Sequence, residues 1–164
     1  MEAPDLGISL NDRLTALGNQ LIDVHIWLRE ELAELRESLG DGRPKELQAH
    51  CLAFCSALER HHTGEDAVAF PQLAEEFPEL RPTLESLSRD HLMVTSIMGN
   101  LQALLDGLGP AASPAERTRA LGELDGLAAL LDSHFAFEER KLTAALNSLR
   151  HTGPTPDYLL PDEF

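Results

Sequence analysis

No stretch of this chain approaches the roughly 20 consecutive apolar residues that a membrane-crossing helix needs, which excludes an integral helical membrane protein. Basic residues are scarce: 13 Lys and Arg stand against 28 Asp and Glu, a formal net charge of −15. So acidic a surface repels a phosphate backbone, so nucleic acid is not an expected partner. Cysteine is limited to Cys51 and Cys55, too few for a disulfide framework, and four residues apart they read as buried small apolar residues. The start, Met1 to Asp5, lacks the basic and apolar regions of a secretory signal, and with two unpaired thiols the expected location is cytoplasmic. No segment reads as a convincing strand.

What is present is helix. The 164 residues suit one domain with a full-sized core, and 43% hydrophobic with 25% charged residues is an ordinary globular composition. Four long amphipathic segments follow one another. The first runs from about Ser9 to Ser38, with Leu14, Leu17, Leu21, His25, Leu28, Leu32 and Leu35 recurring at three- and four-residue spacing, before Gly40, Asp41, Gly42 and Pro44 break it. The second runs from about Lys45 to Phe70, with Phe54, Leu58, His61 and Glu65 on one stripe; Gly64 weakens it and Pro71 closes or kinks it. After a connector from Pro71 to Pro82, the third spans roughly Thr83 to Leu105, with Leu84, Leu87, His91, Val94, Met98, Leu101 and Leu105 inward. Ser113-Pro114-Ala115-Glu116 has the form of an N-cap, a first-turn proline and a capping box. It opens a fourth helix reaching about Leu149, with Leu124, Leu127, Leu131, His134, Glu138 and Leu142 inward. Short connections between such helices imply an all-α fold, an antiparallel up-down-up-down four-helix bundle. The expected organisation is a lead over residues 1–9, the bundle over 10–149, and a non-helical tail over 150–164.

Within that frame one pattern is written twice: a lone histidine, then a histidine with a glutamate four residues on. It reads His25, then His61 with Glu65; His91, then His134 with Glu138. Residues four apart on a helix lie about 40° apart around the axis and roughly 6 Å along it, so each pair aims an imidazole and a carboxylate into one space. Each of the four histidines stands where the apolar stripe calls for leucine, and buried carboxylates are costly unless paired or metal-bound. The six residues are therefore candidate metal ligands, with Glu65 and Glu138 between two ions as bridging carboxylates. Nitrogen and oxygen donors around two carboxylate-bridged ions suit iron first and manganese next, and they are too many for one structural zinc.

Other residues carry weaker expectations. His62 follows His61 at about 100° around the helix, which points to an outer or surface role. His50 lies three turns from His61, too far for the same ions. Asp66, Asp90 and Glu139 adjoin the proposed ligands and read as surface acids or as outer partners orienting an imidazole, a role Arg29 shares. Gly18 reads as a site of close helix packing, with a path for a small molecule as the alternative. Whether Tyr158 reaches the site is open.

At these residues the chain resembles the hemerythrin-like HHE cation-binding domain family. The resemblance covers roughly residues 10–148 and is carried by His25, by His61-His62-Thr63-Gly64-Glu65-Asp66 with Phe70-Pro71, by Asp90-His91, and by His134-Phe135-Ala136-Phe137-Glu138-Glu139. It implies a four-helix bundle holding two Fe ions per chain with an oxo or hydroxo bridge. The implied ligands are His25, His61, Glu65, His91, His134 and Glu138, and the small-molecule partners are O2, peroxide or nitric oxide. Oxygen carriers of the family place a second histidine one turn after the third-helix histidine, where this chain has Thr95. A symmetric four-histidine set argues against reversible carriage and for redox chemistry, such as peroxide breakdown by an oxidoreductase. A non-catalytic oxygen or iron sensor, or an iron-handling module, is the alternative.

Overall fold

Leucine spacing builds the helices. The computed structural model describes residues 17–41, 44–108, 113–149 and 156–160, and it contains no strand among them. We number the helices α1 (Leu17–Asp41), α2 (Pro44–Gly64), α3 (Phe70–Glu76), α4 (Arg81–Asp106) and α5 (Pro114–Ser148). A π-helical turn, Glu65–Ala69, joins α2 to α3 in one rod, so the described residues form four rods. Neighbouring rods pack in a closed ring: α1 on α2, α2 on α4, α4 on α5 and α5 on α1.

The inward stripe of α4 matches the sequence pattern residue for residue: Leu84, Leu87, His91, Val94, Met98, Leu101 and Leu105 are its buried residues. Leu21, Leu28 and Leu35 of α1, Leu58 of α2, and Leu124, Leu127 and Leu142 of α5 complete the shared core, each at most 1% exposed. Most of the stability comes from this apolar seam rather than from helix propensity. The start of α5 also forms as expected: Ser113 Oγ accepts from the Glu116 amide at 3.2 Å, and the Glu116 carboxylate accepts from the Ser113 amide at 3.4 Å. Cys51 and Cys55 are buried, free thiols with their sulfurs 3.7 Å apart.

Three boundaries differ from the sequence reading. Helix α1 persists to Asp41, past Gly40, while the proposed segment from Ser9 to Ala16 lies outside the described residues. Pro71 does not end the second rod. The Phe70 amide bonds to the Glu65 carbonyl, a π-type register whose wider turn accommodates a proline at the start of α3. The rod ends instead at Phe77, whose φ of −131° and ψ of 76° leave the helical region, as expected for a residue preceding a proline. One 3-10 turn, Pro78–Leu80, then leads into α4 at Arg81, so little of the expected connector is irregular.

Candidate metal centre

His25 on α1, His61 on α2, His91 on α4 and His134 on α5 each replace a core leucine on a different rod, and all are at most 4% exposed. Glu65 opens the π turn and Glu138 lies one turn after His134; they are 2% and 0% exposed. The structure brings these six residues together. The Nε2 atoms of His25 and His61 are 3.1 Å apart, and those of His91 and His134 are 3.2 Å apart.

The two carboxylates lie between these pairs, each with one oxygen toward either side. Glu65 places Oε2 3.5 Å from His61 Nε2 and Oε1 3.3 Å from His91 Nε2. Glu138 places Oε1 3.5 Å from His25 Nε2 and Oε2 3.2 Å from His134 Nε2. This is the arrangement of a carboxylate shared between two neighbouring donor sets. One set is His25, His61, Glu65 and Glu138; the other is His62, Glu65, His91 and His134; within each, the ligand atoms lie within 4.8 Å of one another.

The outer partners fix which imidazole nitrogen faces inward. His91 Nδ1 donates to Asp66 at 3.0 Å, His134 Nδ1 donates to Asp90 at 3.1 Å, and His61 Nδ1 donates to the Tyr158 carbonyl at 2.6 Å. In a neutral ring each of those Nε2 atoms is then a bare lone pair. His25 Nδ1 faces Glu139 at 3.7 Å, and Glu139 is in turn held by Arg29 at 3.2 Å. Asp66, Asp90 and Glu139 are thus orienting partners rather than free surface acids, and Arg29 acts through Glu139. Arg29 also covers the Phe135 ring, which stacks on His25.

The centre is therefore a cage of acceptors with almost no donors. Glu65 Oε1 and both oxygens of Glu138 are buried without a hydrogen-bond partner. Burial, then the neighbouring His25, drives His61 down to about 3, so it stays neutral. Burial likewise keeps His62 and His91 below the ordinary imidazole range. For His134 burial opposes charge, but the Glu138 and Asp90 carboxylates outweigh it and the shift is upward. Burial and the charge of Glu138 push Glu65 well up, while contacts with Glu65, His134 and His25 hold Glu138 ionised against its own burial. Without a cation, burial thus favours the neutral form of Glu65 while Glu138 keeps its charge. A divalent cation satisfies the same oxygens and nitrogens at once, which is why this donor set fits a metal.

His62 is the residue that the sequence reading misplaces. It is 4% exposed, its Nε2 has no partner, and it lies in the second donor set. The angle from His61 to His62 suggests divergence, but His62 stands three residues before Glu65, so the two share a face. Its ring stacks on His91 at 3.9 Å and 13°. Stacked in this way, His62 buttresses the His91 ring and holds an unpartnered nitrogen beside it. The inner set thus has five histidines, and the expected symmetric four-histidine set gives way to two on one side and three on the other. Thr95 adds no ligand; its hydroxyl donates back to the His91 carbonyl at 2.9 Å.

The remaining residues fall away from the centre. His50 pairs with Glu31 at 3.0 Å. Gly18 is a packing glycine: a Cβ there would meet the Thr143 carbonyl and lie 2.7 Å from Asn147 Oδ1, which accepts the Gly18 amide at 2.8 Å. His151 lies outside the described residues. No helix among the described residues is long and apolar enough to cross a membrane.

Comparison with curated proteins and with solved structures returned no match. Comparison with protein families matched residues 17–146 to one, described as the hemerythrin HHE cation binding domain. That span begins at the first described turn of α1 and ends within the last turn of α5, enclosing all six residues of the repeated pattern and His62. This buried His/Glu centre lies within a chain that belongs to the hemerythrin HHE cation-binding domain family.

Proposed function

We propose that this chain is a di-iron protein that reacts with O2, hydrogen peroxide or nitric oxide, with peroxide breakdown its most concrete form. The observation that carries the reading is the pair of buried carboxylates, each turning one oxygen to either histidine set. His25 and His61 would hold one ion, His91 and His134 the other, with Glu65 and Glu138 bridging. Imidazole and carboxylate donors suit iron, with manganese next. Bound as a pair, iron would supply one-electron redox chemistry between its ferrous and ferric states.

The chain's own groups do the rest. Asp66, Asp90 and the Tyr158 carbonyl lock three rings with Nε2 inward. The leucine seam and Phe135 exclude bulk water. A surface cleft lined by Ser86, Asp90, Ser133, His134 and Arg140 lies on the outer side of the Asp90–His134 pair.

We read the described rods as the antiparallel up-down-up-down bundle and propose residues 10–149 as its extent, with a 1–9 lead and a 150–164 tail. Along α1, Gly18, Arg29 and Arg36 meet Asn147, Glu139 and Asp125 of α5 in descending order. Between the second rod and α4, Gln48 meets Leu105 and Asp66 meets Ser88. The free thiols suit a reducing compartment such as the cytoplasm.

A second reading, an oxygen or iron sensor, is favoured by one contact: His61 is tied to the Tyr158 backbone, so a change at the metal would reach the C-terminal segment. Peroxide consumption by the iron-loaded protein separates the two. Many turnovers per site, lost in a folded Glu138→Ala variant, support the enzyme. A single stoichiometric reaction, with altered exposure of residues 156–160, supports the sensor.

A further inference from the structure

Three of the four ligand-position imidazoles face a carboxylate with their outer nitrogen: His91 faces Asp66, His134 faces Asp90, and His25 faces Glu139. His61 differs. Its Nδ1 donates at 2.6 Å to a neutral backbone carbonyl, that of Tyr158, 97 residues away in sequence.

The segment that supplies this carbonyl is built into the bundle. Asp157–Leu159 forms a 3-10 turn, Leu159 is only 4% exposed within the shared core, and Arg60 Nη2 donates to the Leu160 carbonyl at 3.3 Å. Tyr158 lies directly on Gly64. A Cβ at position 64 would overlap Tyr158 Cβ and Cγ and lie 2.6 Å from Cδ1.

Gly64 has φ −62° and ψ −40°, ordinary helical values that any residue adopts. Glycine in a helix interior costs about 1 kcal/mol relative to alanine. The backbone conformation therefore does not call for glycine here; the space taken by Tyr158 does. This glycine stands immediately before Glu65 and three residues after His61.

We propose that residues 156–160 are a working part of the metal centre, the Tyr158 carbonyl positioning His61 as a ligand and Gly64 admitting the segment that carries it. The inference rests on the two-ion reading above. A carbonyl withdraws less proton density from an imidazole than a carboxylate does, so His61 is a weaker donor than His91 and His134. The ion on the His25 and His61 side is then the one whose retention depends on the C-terminal segment.

The test compares the wild type, Gly64→Ala, Tyr158→Phe and a chain ending at Leu149, each metal-depleted and titrated anaerobically with Co(II) or Fe(II). The wild type is expected to bind two ions. It should also show, in the Co(II) form, a shifted His61 Nδ1–H proton resonance that exchanges slowly with solvent. Tyr158→Phe keeps the ring and the carbonyl and retains both properties. Gly64→Ala and the shortened chain bind one of the two ions about 10- to 100-fold more weakly, the usual effect of losing an outer partner, and lose the protected resonance. A merely structural segment would lower the melting temperature of the metal-free protein and leave the stepwise affinities and the resonance unchanged; that result overturns the proposal while the two-ion reading stands. Two ions in the wild type with no protected His61 proton also overturn it. A wild type that binds no metal removes the two-ion reading and this inference together.

Discussion

Glu65→Gln changes one buried carboxylate into an amide of the same shape, and the structure predicts opposite effects on the metal-free and metal-loaded protein. Glu65 is 2% exposed, its Oε1 has no hydrogen-bond partner, and it faces Glu138. Leaving a buried polar group unsatisfied costs about 1–3 kcal/mol, and more where charge is involved. Glu65 must take up a proton to be neutral in the metal-free fold, whereas an amide is neutral at any pH and can donate to Glu138. We therefore expect the metal-free variant to gain about 1–2 kcal/mol. At about 2–4 °C per kcal/mol for a chain of this size, its melting temperature rises by roughly 2–8 °C. Metal reverses the order. An ion present at a hundred times its Kd adds about 2.7 kcal/mol, or roughly 5–11 °C on the same scale, to a protein that binds it only when folded. A neutral amide cannot serve as the bridge, so that increment belongs to the wild type alone. Calorimetry of both proteins, with a chelator and then with anaerobic Fe(II), reads all four values. If metal-free Glu65→Gln melts below the metal-free wild type, or gains as much from iron, the bridging role is refuted.

Other expectations follow from the same geometry. Acid should destabilise the metal-free protein below about pH 6.5: His61, His62 and His91 stay neutral in the fold but take protons when unfolded, while Glu65 does the reverse. Each net proton taken up on unfolding gives a slope of about 1.4 kcal/mol per pH unit, the raised His134 opposing the three lowered histidines, and a flat profile between pH 5 and 6.5 would contradict the assigned directions. Asp66→Ala or Asp90→Ala should weaken metal binding about 10- to 100-fold with the fold intact, as measured by competition with a chromogenic chelator; unchanged affinity would show that these carboxylates do not orient His91 and His134. Gly18→Leu should lower the melting temperature by forcing α1 from α5, while peroxide or O2 reactivity per bound metal stays the same. Slower reaction per metal would instead make Gly18 part of an access path.

The six-residue pattern is legible because each of its members interrupts an otherwise apolar stripe. Leu87 and Val94 flank His91 on α4, four residues before and three after, so its direction follows from helical periodicity alone. The capping box at Ser113 is legible for a similar reason: it is a local device whose partners lie three residues apart. What escapes is non-local, or depends on a departure from the ideal helix. The place of His62 becomes readable once its spacing to Glu65 is considered, but the angle to His61 alone misleads. The π turn changes how a proline at position 71 is tolerated, and no residue type announces such a turn. The contact between Tyr158 and His61 joins residues 97 apart, and only the folded chain reveals it. Gly64 reads in the sequence as a weak point in a helix, although its missing side chain is what admits the C-terminal segment.

The most direct test of the central claim is metal content per chain, by elemental analysis of protein purified without added metal or chelator. The account predicts about two iron atoms per chain in the wild type and fewer than one in Glu138→Ala. A folded wild type that carries no iron, or a Glu138→Ala variant that keeps both ions, would contradict it.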